Sequence, residues 1–277
     1  MNKSQQIKTI IGRIHSLPTL PQVVKKLTTM VESPDVTAQE VGKLISSDQV
    51  LGAKVLRLVN SPFYGFPGRI SSITHSIILL GFNVIKGVVL SASVFDLMEQ
   101  SMVGLWKHSL GTASVAGTVS RALGLAEPEE IATAALLHDI GKVLICFSLK
   151  EDYDAITGLV DDKECSFREA ELEVLGVDHG EIGGWLAGEW NLPDRLALPI
   201  EYHHRPLEAP KFQDRAAVVN IADAVVRSFG VGSGGDPWVS RIAPTVWDHL
   251  TMNKIELNAL MKTVKVDLEG VEHYQVA

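Results

Sequence analysis

The chain has 277 residues, of which 46% are hydrophobic and 21% charged, a balance that supports one large or two modest packed domains and excludes intrinsic disorder. The formal net charge of -8 offers no basic footprint, so neither nucleic acid nor an anionic membrane surface is expected as a partner. Cys146 and Cys165 form neither a metal spacing nor a disulfide framework, and MNKSQQIKTIIGRIHSLP lacks the continuous apolar run of a signal peptide; both features point to the cytoplasm.

Nearly every segment carries helical periodicity and none shows sustained period-two alternation, so the predicted fold is all-α. TAQEVGKLI places Thr37 as N-cap with Glu40 three residues on, a capping box ahead of Val41, Leu44 and Ile45 on one face. Asp48 starts the next helix, DQVLGAKVLRLV, and NSPFYGFPG ends it. The most apolar region, Ile73 to Phe95, is interrupted by Thr74, His75, Ser76, Asn83 and Lys86 and split by Gly81; it predicts two buried core helices and not a membrane span. The pattern breaks at EQSMVG, and a lobe boundary is expected near residue 100. Further helices are expected over about 105–123, 129–147, 167–175, 180–189, 194–202 and 214–229. GVGSGGDP, residues 230–237, reads as a linker. Beyond it NKIELNALMKTV, with Asn253 and Glu256 in capping-box register, predicts one more amphipathic helix before a frayed end. The expected organisation is a helical lobe over 1–100, a second over 101–230, and a linker with a C-terminal helix over 231–277.

AALLHDIGKVLI, residues 134–145, sets His138 and Asp139 side by side in an apolar run. Buried imidazoles and carboxylates are costly unless paired or bound to metal, so this pair needs partners elsewhere. Five of the nine histidines, His108, His138, His179, His203 and His204, fall within about a hundred residues, and NIADAVV puts Asp223 on an apolar-flanked helix. One such histidine alone is more often a hydrogen-bonded core residue; seven candidate ligands together favour a metal. WKHSL also fits a solvated helix face for His108, and the pair His203-His204 also fits a helix C-terminus, where cations are favoured. Imidazoles and carboxylates without thiolate suit Fe, Mn, Co, Ni or Zn, and five His with two Asp suffice for two ions. Phe63, Tyr64 and Phe66 are expected to pack between lobes. Asp178 and Glu181 flank His179 either as acceptors for its ring or as solvated charges at a helix start.

The order H…HD…H…HH…D resembles the HD phosphohydrolase superfamily and its dinuclear HD-GYP branch. The resemblance implies one ion held by His108, His138, Asp139 and Asp223, a second by His179, His203 and His204, and Asp139 as the bridge. It also implies that Lys142 of HDIGK sits beside a substrate phosphate, giving Asp139 and Lys142 catalytic roles; a lysine after glycine is otherwise commonly solvated. LPTLPQVVKKL, VGKLISSDQVLGAKVLRLVNSPFYGF and ISSITHSIILLGFNVIKGVVLSASV are similar to blocks of the HDOD family, an HD-related output domain of bacterial signalling proteins, over roughly residues 10–230. Two departures matter. RPLEAPKF, after His204, contains no Gly-Tyr-Pro segment, so the substrate loop of the cyclic dinucleotide phosphodiesterases is missing, and Gly104 stands where trinuclear relatives carry an acid. Two functions follow from the resemblance: a signalling module acting through a protein partner, or a metal-dependent phosphohydrolase or phosphodiesterase acting on a nucleotide or cyclic dinucleotide. Access to His138 and Asp139 separates them, since an N-terminal lobe that plugs the site would leave no room for a substrate.

Overall fold

Thr37 and Glu40 close the expected capping box, the threonine hydroxyl accepting from the Glu40 N–H at 3.2 Å and the glutamate accepting from the Thr37 N–H at 2.9 Å. In this computed structural model, which describes residues 3–13, 22–33, 35–66 and 69–274, that box opens the third helix. Helices α1 (Lys3–Arg13), α2 (Gln22–Met30), α3 (Ala38–Ser46), α4 (Gln49–Val59) and α5 (Ile73–Ser101) make the first part of the chain. The rest comprises α6 (Leu105–Ala122), α7 (Pro128–Leu137), α8 (Ile140–Ser148), α9 (Lys150–Lys163), α10 (Phe167–Leu175), α11 (His179–Glu189), α12 (Asp194–Tyr202), α13 (Gln213–Phe229), α14 (Pro244–His249) and α15 (Leu257–Glu272). No strand occurs among the described residues, and the fold is all-α. His15, the leucine-proline stretch 17–21, the end of the NSPFYGFPG turn and the last residues, expected to fray, lie outside the described residues.

Asp48 caps α4 as expected, accepting from the Leu51 N–H at 3.0 Å. Gly81 breaks α5 with φ +78°, a conformation that suits glycine. Beyond it the segment 84–92 is buried on every side. Both α5 and the stretch Pro128–Ser148 are long and apolar enough to cross a membrane, but 61% and 83% of their apolar windows are already buried inside the fold. Phe63 and Tyr64 are buried, and the Tyr64 hydroxyl meets that of Thr133 on α7 at 3.1 Å, so the turn aromatics pack as expected. One hydrophobic core runs from Ile7 to Val271 and passes without interruption through the boundary expected near residue 100.

Three expectations are corrected. The helix foreseen over 129–147 is two helices: α7 ends at Leu137, Asp139 adopts φ -94° and ψ 8°, and α8 starts at Ile140. This bridge conformation stops the α ladder, so His138 and Asp139 occupy a junction and not adjacent positions of one helix. Asn253 lies in a 3-10 turn and Glu256 makes no side-chain cap for α15, so the second capping box does not form. Residues 230–237 are not a spacer but pack against the site described below. Helix α9 was not foreseen because only Ile156 and Val160 of its fourteen residues are buried, too few to give a periodic signal.

Candidate metal centre

Close backbone approach positions the centre. Gly141 on α8 faces the backbone of His179 on α11 so tightly that a Cβ there would collide with the His179 carbonyl. Gly180 on α11 approaches the Glu201 carbonyl of α12, where a Cβ would stand at 3.0 Å. Side chains from five places therefore meet: His108 from α6, His138 and Asp139 from the α7–α8 junction, His179 from the start of α11, His203 and His204 from the end of α12, and Asp223 from α13. All seven predicted ligands come together. Six are fully buried, His108 among them, which removes the solvated-face alternative; His204 alone is half-buried.

The donors fall into overlapping triads, with ligand atoms within 4.8 Å of one another: His108, His138 and Asp223; His138, Asp139 and His203; His179, His203 and His204. Asp139 lies between the outer two, its Oδ2 3.6 Å from His108 Nε2 and 3.4 Å from His138 Nε2, and its Oδ1 3.1 Å from His179 Nε2. Asp223 Oδ1 lies 3.0 Å from His108 Nε2. His179 Nε2 and His204 Nε2 are 2.8 Å apart.

The rings are oriented from behind. His138 Nδ1 stands 2.7 Å from the Ala135 carbonyl and His203 Nδ1 2.7 Å from the Ile200 carbonyl. A carbonyl only accepts, so each Nδ1 must carry the proton and each Nε2 presents a lone pair to the centre. Both Nε2 atoms are buried with no hydrogen-bond partner. His179 Nδ1 instead meets Glu171 Oε2 at 2.6 Å, and the same oxygen accepts from the His179 N–H at 3.0 Å. Asp178 turns its carboxylate elsewhere, capping α11 through the Glu181 N–H and accepting from Arg168 at 2.8 Å.

Electrostatics prepare the donors. Burial pushes His138 down to about 4, and burial with the neighbouring His138 and His179 takes His203 to about 3. His179 goes the other way: burial disfavours its charged form, yet the Glu171 carboxylate and the contact with Asp139 raise it to about 9. Burial also opposes ionisation of Asp139 and Asp223, but His138 and Lys142 beside the first, and Arg227 and His108 beside the second, hold both well below the ordinary carboxylate range. With His138 and His203 aiming bare nitrogens towards ionised carboxylates, the five imidazoles and two carboxylates form a donor set that fits a divalent transition metal once His179 gives up its proton.

Lys142 is neither solvated nor free. Its Nζ is buried 2.7 Å from Asp139 Oδ1 and donates to the Gly234 carbonyl at 2.8 Å. Arg227, one turn after Asp223, donates through Nε to Asp223 Oδ1 at 2.8 Å. The segment 230–238 closes over this side of the centre: Ser233 N–H donates to the Gly104 carbonyl at 3.1 Å, and Asp236 accepts from the Phe167 N–H at 2.9 Å. A cavity of about 400 Å³ reaches His179 and His204 past Arg168, Arg241 and Trp238, and another of about 510 Å³ runs along 230–238 to His108. Among the described residues none before His108 lines either cavity, and the glycine-rich segment lines the one that runs to His108.

Residues 17–206 match the model of the HDOD domain. The chain belongs to the HDOD family. Its fold is similar over 96% of both chains to an HDOD domain protein of unknown function from Geobacter sulfurreducens, with 28% identity and a TM-score of 0.72. It is similar, over 98% of this chain and 96% of the other, to a protein from Shewanella amazonensis whose name gives it as a candidate phosphohydrolase, with 25% identity and a TM-score of 0.68. An uncharacterized protein of Treponema pallidum is 26% identical over 224 residues, 79% of this HDOD chain and 44% of that protein. The chain thus spans less than half the length of this curated relative.

Glu171, Arg227 and Asp236 were not foreseen as parts of the centre. Arg227 carried a usable signal, its i+4 spacing from Asp223. Glu171 carried none, since FREAELEVL reads as a charged, solvated helix start.

Proposed function

We propose that this HDOD chain is a signalling module built round a two-ion centre, acting in the cytoplasm on a protein partner. His108, His138, Asp139 and Asp223 would hold one ion, His179, His203 and His204 the second, with Asp139 shared, and Fe, Mn, Zn, Ni or Co suits the donors. The observation that carries the reading is Lys142. The one cation that the family resemblance set beside a substrate phosphate is spent internally on Asp139 and Gly234, with residues 230–238 lying over it. Bound metal would supply fixed positive charge that holds five helical elements in one arrangement, coupling occupancy to conformation.

A second reading, a metal-dependent phosphohydrolase acting on a nucleotide or cyclic dinucleotide, is favoured by one feature, the cavity that leads to His179 and His204 past Arg168 and Arg241. The metal would there supply Lewis-acid stabilisation, and the two arginines would orient the phosphate. The name of the Shewanella relative supports it.

The deciding experiment measures metal content in protein purified without a metal-affinity step under low oxygen, beside a His138→Ala, Asp139→Ala double variant, followed by hydrolysis assays on cyclic dinucleotides and generic phosphoesters. About two equivalents with no turnover supports the module. Turnover that disappears in Asp139→Ala replaces it with the enzyme. Little metal in the parent overturns both.

A further inference from the structure

Two cations outside the donor set tie both metal-facing carboxylates to a single segment of chain. Lys142 bridges Asp139 Oδ1 and the Gly234 carbonyl, at 2.7 and 2.8 Å. Arg227 bridges Asp223 Oδ1, at 2.8 Å, to Asp236 Oδ1, at 3.2 Å, and to the Trp238 carbonyl, at 3.4 Å. Each oxygen so held also faces a histidine: Asp139 Oδ1 is 3.1 Å from His179 Nε2, and Asp223 Oδ1 is 3.0 Å from His108 Nε2, while Asp139 Oδ2 faces His108 and His138 without such a cation.

An ion that binds Asp139 Oδ1 or Asp223 Oδ1 therefore shares that oxygen with a buried ammonium or a buried guanidinium. In a low-dielectric interior like charges at such range oppose each other strongly. Val231 seats the start of the segment they anchor in the core, its N–H donating to the Val226 carbonyl at 3.3 Å. It contains three glycines at positive φ, Gly230, Gly232 and Gly235, and beyond Val231 it meets the helices through the Ser233 N–H on the Gly104 carbonyl and the Asp236 carboxylate on the Phe167 N–H.

We propose that residues 230–238 form a strap held shut by Lys142 and Arg227, and that metal ions compete with these two cations for Asp139 and Asp223, so that loading the centre loosens the strap. The inference rests on the two-ion reading above and gives it a moving part. Linkage makes the effect reciprocal: whatever releases the strap tightens metal binding by the same factor.

The test uses the full chain. Hydrogen exchange over 230–241 is followed by mass spectrometry with and without Mn²⁺, with bound manganese counted in the same samples, and Mn²⁺ affinity is compared between the parent and Lys142→Gln. Expected are exchange at least about fivefold faster in the loaded protein and affinity at least about fivefold higher in Lys142→Gln, the lower end of ordinary coupling. Bound manganese with unchanged or slower exchange overturns the strap and leaves the centre standing, as does weaker binding by a folded Lys142→Gln; absence of bound manganese overturns both. Should Lys142→Gln not fold, the exchange comparison on the parent decides alone.

Discussion

Glu171 shows what a single side chain contributes here. It is fully buried, and one of its oxygens accepts both the ring and backbone N–H of His179. Glu171→Gln preserves shape but removes the negative charge that fixes this ring, and metal affinity should fall about 10- to 100-fold, as measured by competition with a chromophoric chelator. The same pair sets a pH dependence. His179, raised to about 9, is protonated at pH 7 in the metal-free protein, whereas His138 and His203, at about 4 and 3, are already bare. An ion on the His179 side must displace that proton, so its apparent affinity should climb about tenfold per unit from pH 7 towards 9 and then level off. Titration calorimetry in buffers of different ionisation heat should find about one proton released per chain at pH 7, on loading of the His179 side. The seven donors were legible in the sequence because histidines and aspartates in apolar surroundings are costly and stand out. Glu171 was not, because its burial comes with its contact to His179, eight residues on at the start of α11, and leaves no mark on the local pattern.

At the scale of elements, glycines decide where helices touch. The α8–α11 crossing depends on Gly141, and Gly141→Ala should push the His179 backbone away from Asp139, costing about 1–3 kcal/mol and lowering metal content together. Gly188→Ala on α11, where a Cβ meets nothing within 4 Å, should be neutral or gain up to about 1 kcal/mol. Urea midpoints of the two variants would separate contact from propensity. Helix existence was largely readable: α10 and α12 fall where periodicity and punctuation put them. The break between α7 and α8 was not, because AALLHDIGKVLI holds no proline and its glycine comes only after the aspartate; the junction is enforced by what both side chains must reach. Residues 230–237 were misread for a related reason. Glycines that usually confer looseness here permit close approach, Gly232 lying against the His108 backbone.

For the whole molecule, the centre ties α6, α7, α8, α11, α12 and α13 to one another, so metal and global stability are linked. Saturation at a hundred times the dissociation constant adds about 2.7 kcal/mol per ion. Chelation should accordingly lower the melting temperature by roughly 5–10 °C in a chain of this size, and calorimetry with excess chelator would read it. A drop of the same size in His138→Ala, Asp139→Ala, where there is no ion to remove, would show instead that the chelator acts elsewhere. All-α character was plain from the sequence; the single core was not, since the break in the apolar pattern at EQSMVG suggests a lobe boundary near residue 100. The core crosses that seam along α5, whose buried face packs on α7, and the Lys86 ammonium donates to the Asn191 carbonyl at 2.9 Å while the Asn191 amide donates to Glu32 at 2.7 Å. A gene fragment cut at residue 101 would therefore encode two sticky halves and no working part, so recombination could carry this unit into a new protein only as a single inheritable block.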